Sequence, residues 1–321
     1  MNKILLLAVP LLLVFCFGLI RGNYAATGQW LYDHAMAAEA SLYGFTTEQV
    51  DIGDMTLSLY HHENPGKPVI VMLHGYSADK NVWPRFARHL TDDYDIIIPD
   101  MAGHGDSPFN PQWNYGMPAQ AQRLARLLDR MGVDKAHLIG NSMGGFLTAT
   151  FAIRYPQKTR SATMVDPAGV MSPQPSDMMN MLAQGHNPFM IHDRAEFDDF
   201  YAMTMEQPPL VPDIVLEAVA QKYIARRAEL RKIFDDFHAS DYLEEHLPEL
   251  KAPAMLWWGD HDRLLHVSSV AVWQAGVPQL QVHIFPGIGH MPMMEVPAEA
   301  AQRYADFLHR IQETQVAENL N

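Results

Sequence analysis

Gly140-Asn141-Ser142-Met143-Gly144 lies directly behind the apolar run Ala136 to Ile139 and ahead of the helical pattern Gly145 to Tyr155. A serine between two glycines at such a junction suits a sharp strand-to-helix turn, because a Cβ on either flank would meet neighbouring backbone. The five residues alone recur in unrelated chains. Strand before and helix after make Ser142 a candidate nucleophile presented at the end of a strand.

The rest of the chain alternates between strand and helix patterns. Val50 to Tyr60 reads as a strand pair turning near Gly53-Asp54, and Pro68 to Leu73 and Ile96 to Ile98 are short apolar runs suited to strands covered on both faces. Val82 to Leu90 reads as a helix. Ala119 to Met131 is a clearer one, with Ala121, Leu124, Leu127 and Leu128 on a single face. Further strands are expected at Ala162 to Val165, Ala254 to Trp258 and Val282 to Phe285, and a closing helix at Glu299 to Ile311. This order implies an α/β fold with a mainly parallel sheet, helices on both faces, and reactive groups at the carboxyl ends of the strands.

One segment breaks the rhythm. Residues 169–250 contain no strand pattern, six prolines among Pro173 to Pro212, and helical stretches at Glu196 to Met205 and Asp213 to Phe237. An insertion of about eighty residues between two sheet strands is expected to fold as a helical cap, since plain loops of that length are rare. It is rich in methionine (Met171, Met178, Met179, Met181, Met190, Met203, Met205), which fills a cap core or makes an adaptable apolar cavity wall. The expected organisation is an N-terminal segment at 1–22, a linker or helix at 23–49, a core at 50–168 and 251–312, the cap at 169–250 and a tail at 313–321.

The N-terminal segment is distinct. Lys3 precedes an uncharged apolar stretch from Ile4 to Ile20, and Arg21 follows it. This is the pattern of an export signal or a membrane anchor, and residues 4–20 supply a means of membrane association. Ala25-Ala26 offers small residues for cleavage, whereas Arg21 suits a retained anchor. An exported or anchored protein with an extracytoplasmic body is expected. Trp30 to Tyr43 carries apolar groups at helical spacing, either to lie on a membrane surface or to pack on the body. The only cysteine, Cys16, lies inside the apolar stretch, so the body has no disulfide or cysteine metal site. The sixteen histidines show no ligand spacing, and neither a metal nor another cofactor is implied. A net charge of -14 argues against a nucleic-acid partner.

A serine hydroxyl needs a base to take its proton, and the base needs a carboxylate to fix its tautomer. Asp262 follows the strand ending in Trp258-Gly259, and His290 sits in Gly287-Ile288-Gly289-His290 behind the last strand. Asp260 and Asp166 are rival acids, and His283 and His266 rival bases. His74 and the turn Gly103-His104-Gly105 read as structural.

With these residues in view, the chain resembles an α/β-hydrolase from about residue 50 to 312, through Leu73-His74-Gly75-Tyr76, Asp100 to Gly105, the Ser142 turn, and the Asp262 and His290 loops. The order Ser142, Asp262, His290 is that of this fold. Within it, His74 to Trp83 and Asp166-Pro167-Ala168-Gly169 are similar to bacterial family V lipases and to monoacylglycerol lipases of the ABHD6 type. The resemblance implies Ser142 as nucleophile, His290 as general base and acid, and Asp262 as its orienting carboxylate. It also implies an oxyanion hole from the backbone N–H groups of Tyr76 and Met143, supported by His74, Gly75, Gly140 and Gly144.

The implied activity is cleavage of a small-molecule or lipid carboxylic ester. The same turn is also similar to that of carbon-carbon bond hydrolases of ring-fission diketones. Those resemble the chain less closely, because they carry a tryptophan after the catalytic histidine and an arginine in the cap, and Met291 follows His290 here. A third reading is a hydrolase-fold protein that binds a ligand without turnover. Against it stands the complete set of three candidate residues.

Overall fold

The computed structural model describes residues 23–319. The expected segment at 4–20, with Cys16 in it, lies outside the described residues. Among those described, no helix is long and apolar enough to cross a membrane.

Eight strands form one sheet: β1 (Thr46–Asp51), β2 (Thr56–His62), β3 (Val69–Leu73), β4 (Asp95–Pro99), β5 (Ala136–Asn141), β6 (Thr159–Val165), β7 (Ala254–Gly259) and β8 (Gln281–Phe285). Their spatial order is β1-β2-β4-β3-β5-β6-β7-β8. Only β2 runs antiparallel to its neighbours β1 and β4, and the remaining pairs are parallel. The continuous apolar runs serve two faces. Val71, Leu73, Ile97 and Leu138 join the core under helices Met117–Arg130 and Met143–Arg154, whereas Ile70, Met72, Ile96, Ile98 and Ile139 join that under Pro84–Ala87 and Pro297–Asn319. Alternation with period two within an all-apolar run is what a strand covered on both sides requires.

The chain leaves β3 toward β4 on one side and returns from β5 toward the other. Leu73 pairs with Gly140 at that reversal, so the loops after β3 and β5 emerge side by side. Such a switch point is where an open α/β sheet holds its ligand.

The insertion before β7 is helical, with helices at Asp177–Ala183, Arg194–Thr204, Asp213–Ala225 and Arg227–His238. The last two replace the single helix expected from Asp213 to Phe237. The break falls at Arg226 (φ -93°, ψ 6°), whose guanidinium bonds Gly103 O and Glu229. Separate helices allow the first to meet the N-terminal helix while Leu230, Ile233, Phe234 and Phe237 of the second face the core.

Three other elements differ from expectation. The stretch Val82 to Leu90 divides into a turn at Lys80–Val82, capped by Asp79 on Asn81 N–H (3.0 Å), and a short helix restarting at Pro84, whose ring suits a first turn. The closing helix runs over Pro297–Asn319, since the polar Gln312 to Glu318 stretch contains good helix formers. The sheet begins at Thr46, ahead of Val50, because β1 pairs along its whole length with β2.

The N-terminal helix Tyr24–Leu42 packs on the cap helix Asp213–Ala225. Gly28 permits the approach: a Cβ there would lie 1.9 Å from Ile214 O. Tyr24 OH donates to Asp213 (3.1 Å), and Glu39 accepts from Arg85 of the core (2.7 Å). The helix thus bridges cap and core, while Trp30 and Leu31 remain exposed.

At the antiparallel edge, His61 bonds Asp95 (3.0 Å) and Glu48 (2.9 Å) through its two ring nitrogens. The hydrogen bond to Asp95, above all, raises the imidazole above its ordinary value against the cost of burial, and Asp95 is held below its own. A raised native value means that the histidine's contribution is complete below the unfolded value of about 6.5 and is lost as pH rises through the native one. His61→Asn should therefore destabilise by about 1 kcal/mol near pH 5.5, and by less near pH 8.5, in paired urea unfolding curves.

Candidate active site

Ser142 stands between β5 and the helix Met143–Arg154 with φ 56° and ψ -117°, a left-handed backbone that few non-glycine residues adopt. Its flanks explain the two glycines. A Cβ on Gly140 would lie 2.1 Å from Gly144 O, and one on Gly144 would lie 2.3 Å from Leu73 O. The turn is tied down by Ser142 N–H to Val165 O (2.9 Å) and Ala168 N–H to Ser142 O (3.1 Å).

His290 Nδ1 donates to Asp262 Oδ2 at 2.7 Å, with both residues buried. The other oxygen, Asp262 Oδ1, accepts from Leu264 N–H (2.8 Å) and Leu265 N–H (3.0 Å). These amides and the post-β7 loop leave the carboxylate little freedom to turn. Of the rivals, Asp260 accepts from Gly287 N–H near the surface, His266 pairs with Ser268, and His283 lies within β8. Asp166 is fully buried and bonds Gly259 N–H (2.8 Å), not His290.

Beside Ser142, the loop after β3 carries His74, Gly75 and Tyr76. His74 is buried, takes Met101 N–H on Nε2 (3.0 Å) and donates from Nδ1 to Gly75 O (2.8 Å). Burial lowers its proton affinity, consistent with a neutral ring that serves as a backbone brace. A Cβ on Gly75 would come within 3.2 Å of Ser142 Cβ. Tyr76 N–H makes no hydrogen bond among the described residues, and Met143 opens its helix, where an N–H has no helical acceptor. The Tyr76 ring reaches up into the cap, with its OH on Leu230 O (2.7 Å) and its face among Phe189, Phe234 and Phe237. From the cap, Tyr223 OH meets Ser77 Oγ at 3.1 Å.

The turn beyond β4 braces this loop. Asp100 accepts from Lys80 Nζ (2.5 Å), Lys80 N–H (2.7 Å) and Asp106 N–H (2.9 Å), and Gly105 is required because a Cβ would lie 2.2 Å from the Asp100 carboxyl carbon. His104 is buried beside His74, with ring centroids 5.0 Å apart.

A cavity of about 220 Å³ opens onto Ser142 beneath the cap. Its walls include Phe146, Phe234, Phe237, Met171, Met178 and Met179, and among the described residues no lysine or arginine lines it. Of the cap methionines, Met171, Met178 and Met179 face the cavity, whereas Met190, Met203 and Met205 are buried in the cap's own packing.

Two residues important to this geometry carry no signal in the sequence reading. Asn141, a variable position of the turn motif, donates from Nδ2 to His290 O (2.9 Å) and Val165 O (3.2 Å), tying the Ser142 turn to the His290 loop. Glu295 accepts from Gly289 N–H (3.0 Å) and, across the cap boundary, from Glu206 N–H (2.9 Å) and Gln207 N–H (2.8 Å). Its position at the end of the Met291-Pro292-Met293-Met294-Glu295 run, five residues after His290, is the one hint available.

The family model for the alpha/beta hydrolase fold matches residues 68–297. The chain belongs to that family. This α/β-hydrolase is 31% identical to Lipase 1 of Psychrobacter immobilis over 79% of the chain and 81% of the relative. It is 30% identical to monoacylglycerol lipase abhd6-B of Xenopus laevis, covering 78% of each. A solved bacterial membrane phospholipase A superposes with a TM-score of 0.87 at 33% identity, over 97% of this chain and 99% of that one. The hydrolase is thus a relative of lipases.

Glu295→Ala leaves four backbone amides, those of Gly289, Met291, Glu206 and Gln207, without this acceptor. It is expected to speed hydrogen exchange at Gly289, Glu206 and Gln207 and to lower stability by about 2 kcal/mol, measured by exchange mass spectrometry and thermal unfolding.

Proposed function

We propose that this α/β-hydrolase is a serine carboxylic-ester hydrolase acting on lipid esters, acylglycerols or close analogues, through an acyl-enzyme. The observation that carries the reading is the junction of two environments: an apolar cavity walled by methionine and phenylalanine, ending at a serine on a strained turn. The buried Asp262–His290 hydrogen bond supports it from the other side.

In this reading Ser142 Oγ attacks the ester carbonyl carbon while His290 Nε2 accepts the serine proton. Asp262 holds the ring through Nδ1, presenting Nε2 as the acceptor and stabilising the imidazolium that forms. The carbonyl oxygen, now negative, is bound by the N–H groups of Tyr76 and Met143. His290 returns the proton to the departing alcohol, leaving Ser142 acylated. Water then gives its proton to His290 and attacks the acyl carbonyl, releasing the acid and restoring the serine. The cavity takes the apolar acyl chain by burial of its methylenes, at about 0.8 kcal/mol each. A diketone acid would bring a charge to a wall in which, among the described residues, no lysine or arginine stands to meet it.

The N-terminal apolar stretch Ile4 to Ile20 and the likeness to a membrane phospholipase A support a body exported across, or held at, a membrane.

Ser142→Ala should reduce hydrolysis of a p-nitrophenyl ester by at least about 10⁴-fold with the fold intact, and equal activity in both proteins would remove the reading. Wild-type activity should also fall on the acid side, since a protonated imidazole cannot serve as base. Enlarging Met178 to Phe at the cavity wall should shift preference toward shorter acyl chains, read as kcat/KM across esters of graded length.

A further inference from the structure

Asp166 has no task in the scheme above, yet the fold holds it at a cost. It sits at the end of β6 with φ 44°, a left-handed conformation that is unfavourable for aspartate, and its side chain is fully buried. Oδ1 accepts from Gly259 N–H (2.8 Å), whereas Oδ2 is buried without a donor. One oxygen of Asp166, one of Asp262 and a ring nitrogen of His290 lie within 4.8 Å of one another.

Two carboxylates this close and this buried cannot both carry charge. Asp262 is the one supplied with donors: Leu264 N–H, Leu265 N–H and the His290 ring. A carboxylate offers about four acceptor positions, so these three donors leave one open. Asp166 has a single donor and an orphaned oxygen, and one of its two oxygens lies within 4.8 Å of one on Asp262. A proton on Oδ2 removes the second charge, ends the orphan and fills the last position on Asp262.

We propose that Asp166 is a neutral carboxylic acid that donates its Oδ2 proton to the Asp262 carboxylate, making it a positioning residue that acts on His290 through Asp262. Burial, followed by the neighbouring Asp262 charge, raises Asp166 well above the usual carboxyl range, and Glu295 adds to the effect from the adjacent helix. The donated hydrogen bond fixes the Asp262 plane and draws some of its charge away from the imidazole. Without that bond the imidazole would face an unshared carboxylate.

The proposal rests on the assignment of Asp262 and His290 to the reacting set. Asp166→Asn and Asp166→Val separate its consequences. Asparagine accepts from Gly259 N–H and donates to Asp262 as the neutral acid does, so kcat should stay within about threefold of wild type. Valine removes both bonds, while placing a larger, β-branched side chain on a positive-φ backbone; kcat should fall by about tenfold or more at unchanged KM, the order typical when a group orienting a reacting residue is lost. In the valine variant the acid limb of kcat/KM should move to higher pH, and asparagine should restore it, a displacement that loss of packing alone would not produce. Should valine not fold, the difference infrared spectrum of wild type against Asp166→Asn decides: a protonated-carboxyl band at neutral pH is expected. A folded but inactive Asp166→Asn, an unimpaired Asp166→Val, or no such band would overturn the proposal. Failure of the triad reading looks different: Ser142→Ala and Asp262→Ala would then retain hydrolysis whatever happens at Asp166.

Discussion

Backbone crowding at the carboxyl end of the sheet is the constraint on which the site depends. Segments from the ends of β3, β5, β7 and β8 crowd there so closely that Gly140, Gly144 and Gly259 have no room for a methyl group; a Cβ on Gly259 would lie 2.0 Å from Gly289 O. Close approach brings the Ser142 turn against the loop of Gly75, and the Asp262 loop against that of His290. The geometry that places reactive side chains together is therefore set by main chain, which is stiffer than side-chain packing.

Around this centre the cap is held by polar links. Tyr76 and Ser77 reach cap helices through Leu230 O and Tyr223, and Glu295 takes two amides from the cap's Glu206-Gln207 corner. The N-terminal helix adds a brace on the far side of Asp213–Ala225. Any shift of the cap is thus felt at the loops bearing Tyr76 and His290. An apolar cavity lies between the cap and Ser142, and the Asp262–His290 pair is buried.

Much of this was legible in the residues. The parallel sheet, the helical insertion before β7 and the α/β-hydrolase family followed from alternating patterns and from four separated motifs. What escaped was of another kind. Asn141 and Glu295 are ordinary polar residues whose value lies in accepting or donating to main chain far away in sequence, and no local pattern marks such a bond. The break at Arg226 was hidden because helical periodicity runs through it without interruption; the reason for it is the pair of surfaces on which the two helices pack. The N-terminal helix was foreseen, but its partner in the cap was not, since Gly28 reveals a close approach only when Ile214 is beside it.

By itself the sequence determined the chemistry available: a serine that only a glycine-flanked turn could present, an acid and a histidine at later strand ends, and a methionine-rich insertion. These are local or ordered along the chain, and strand and helix periodicities carry them directly. The tertiary structure alone decided which carboxylate meets His290, which methionines face the cavity, and that Asp166 lies beside Asp262 with an unpaired oxygen. Each is a matter of distance between segments brought together by folding, and burial then sets what a short separation costs.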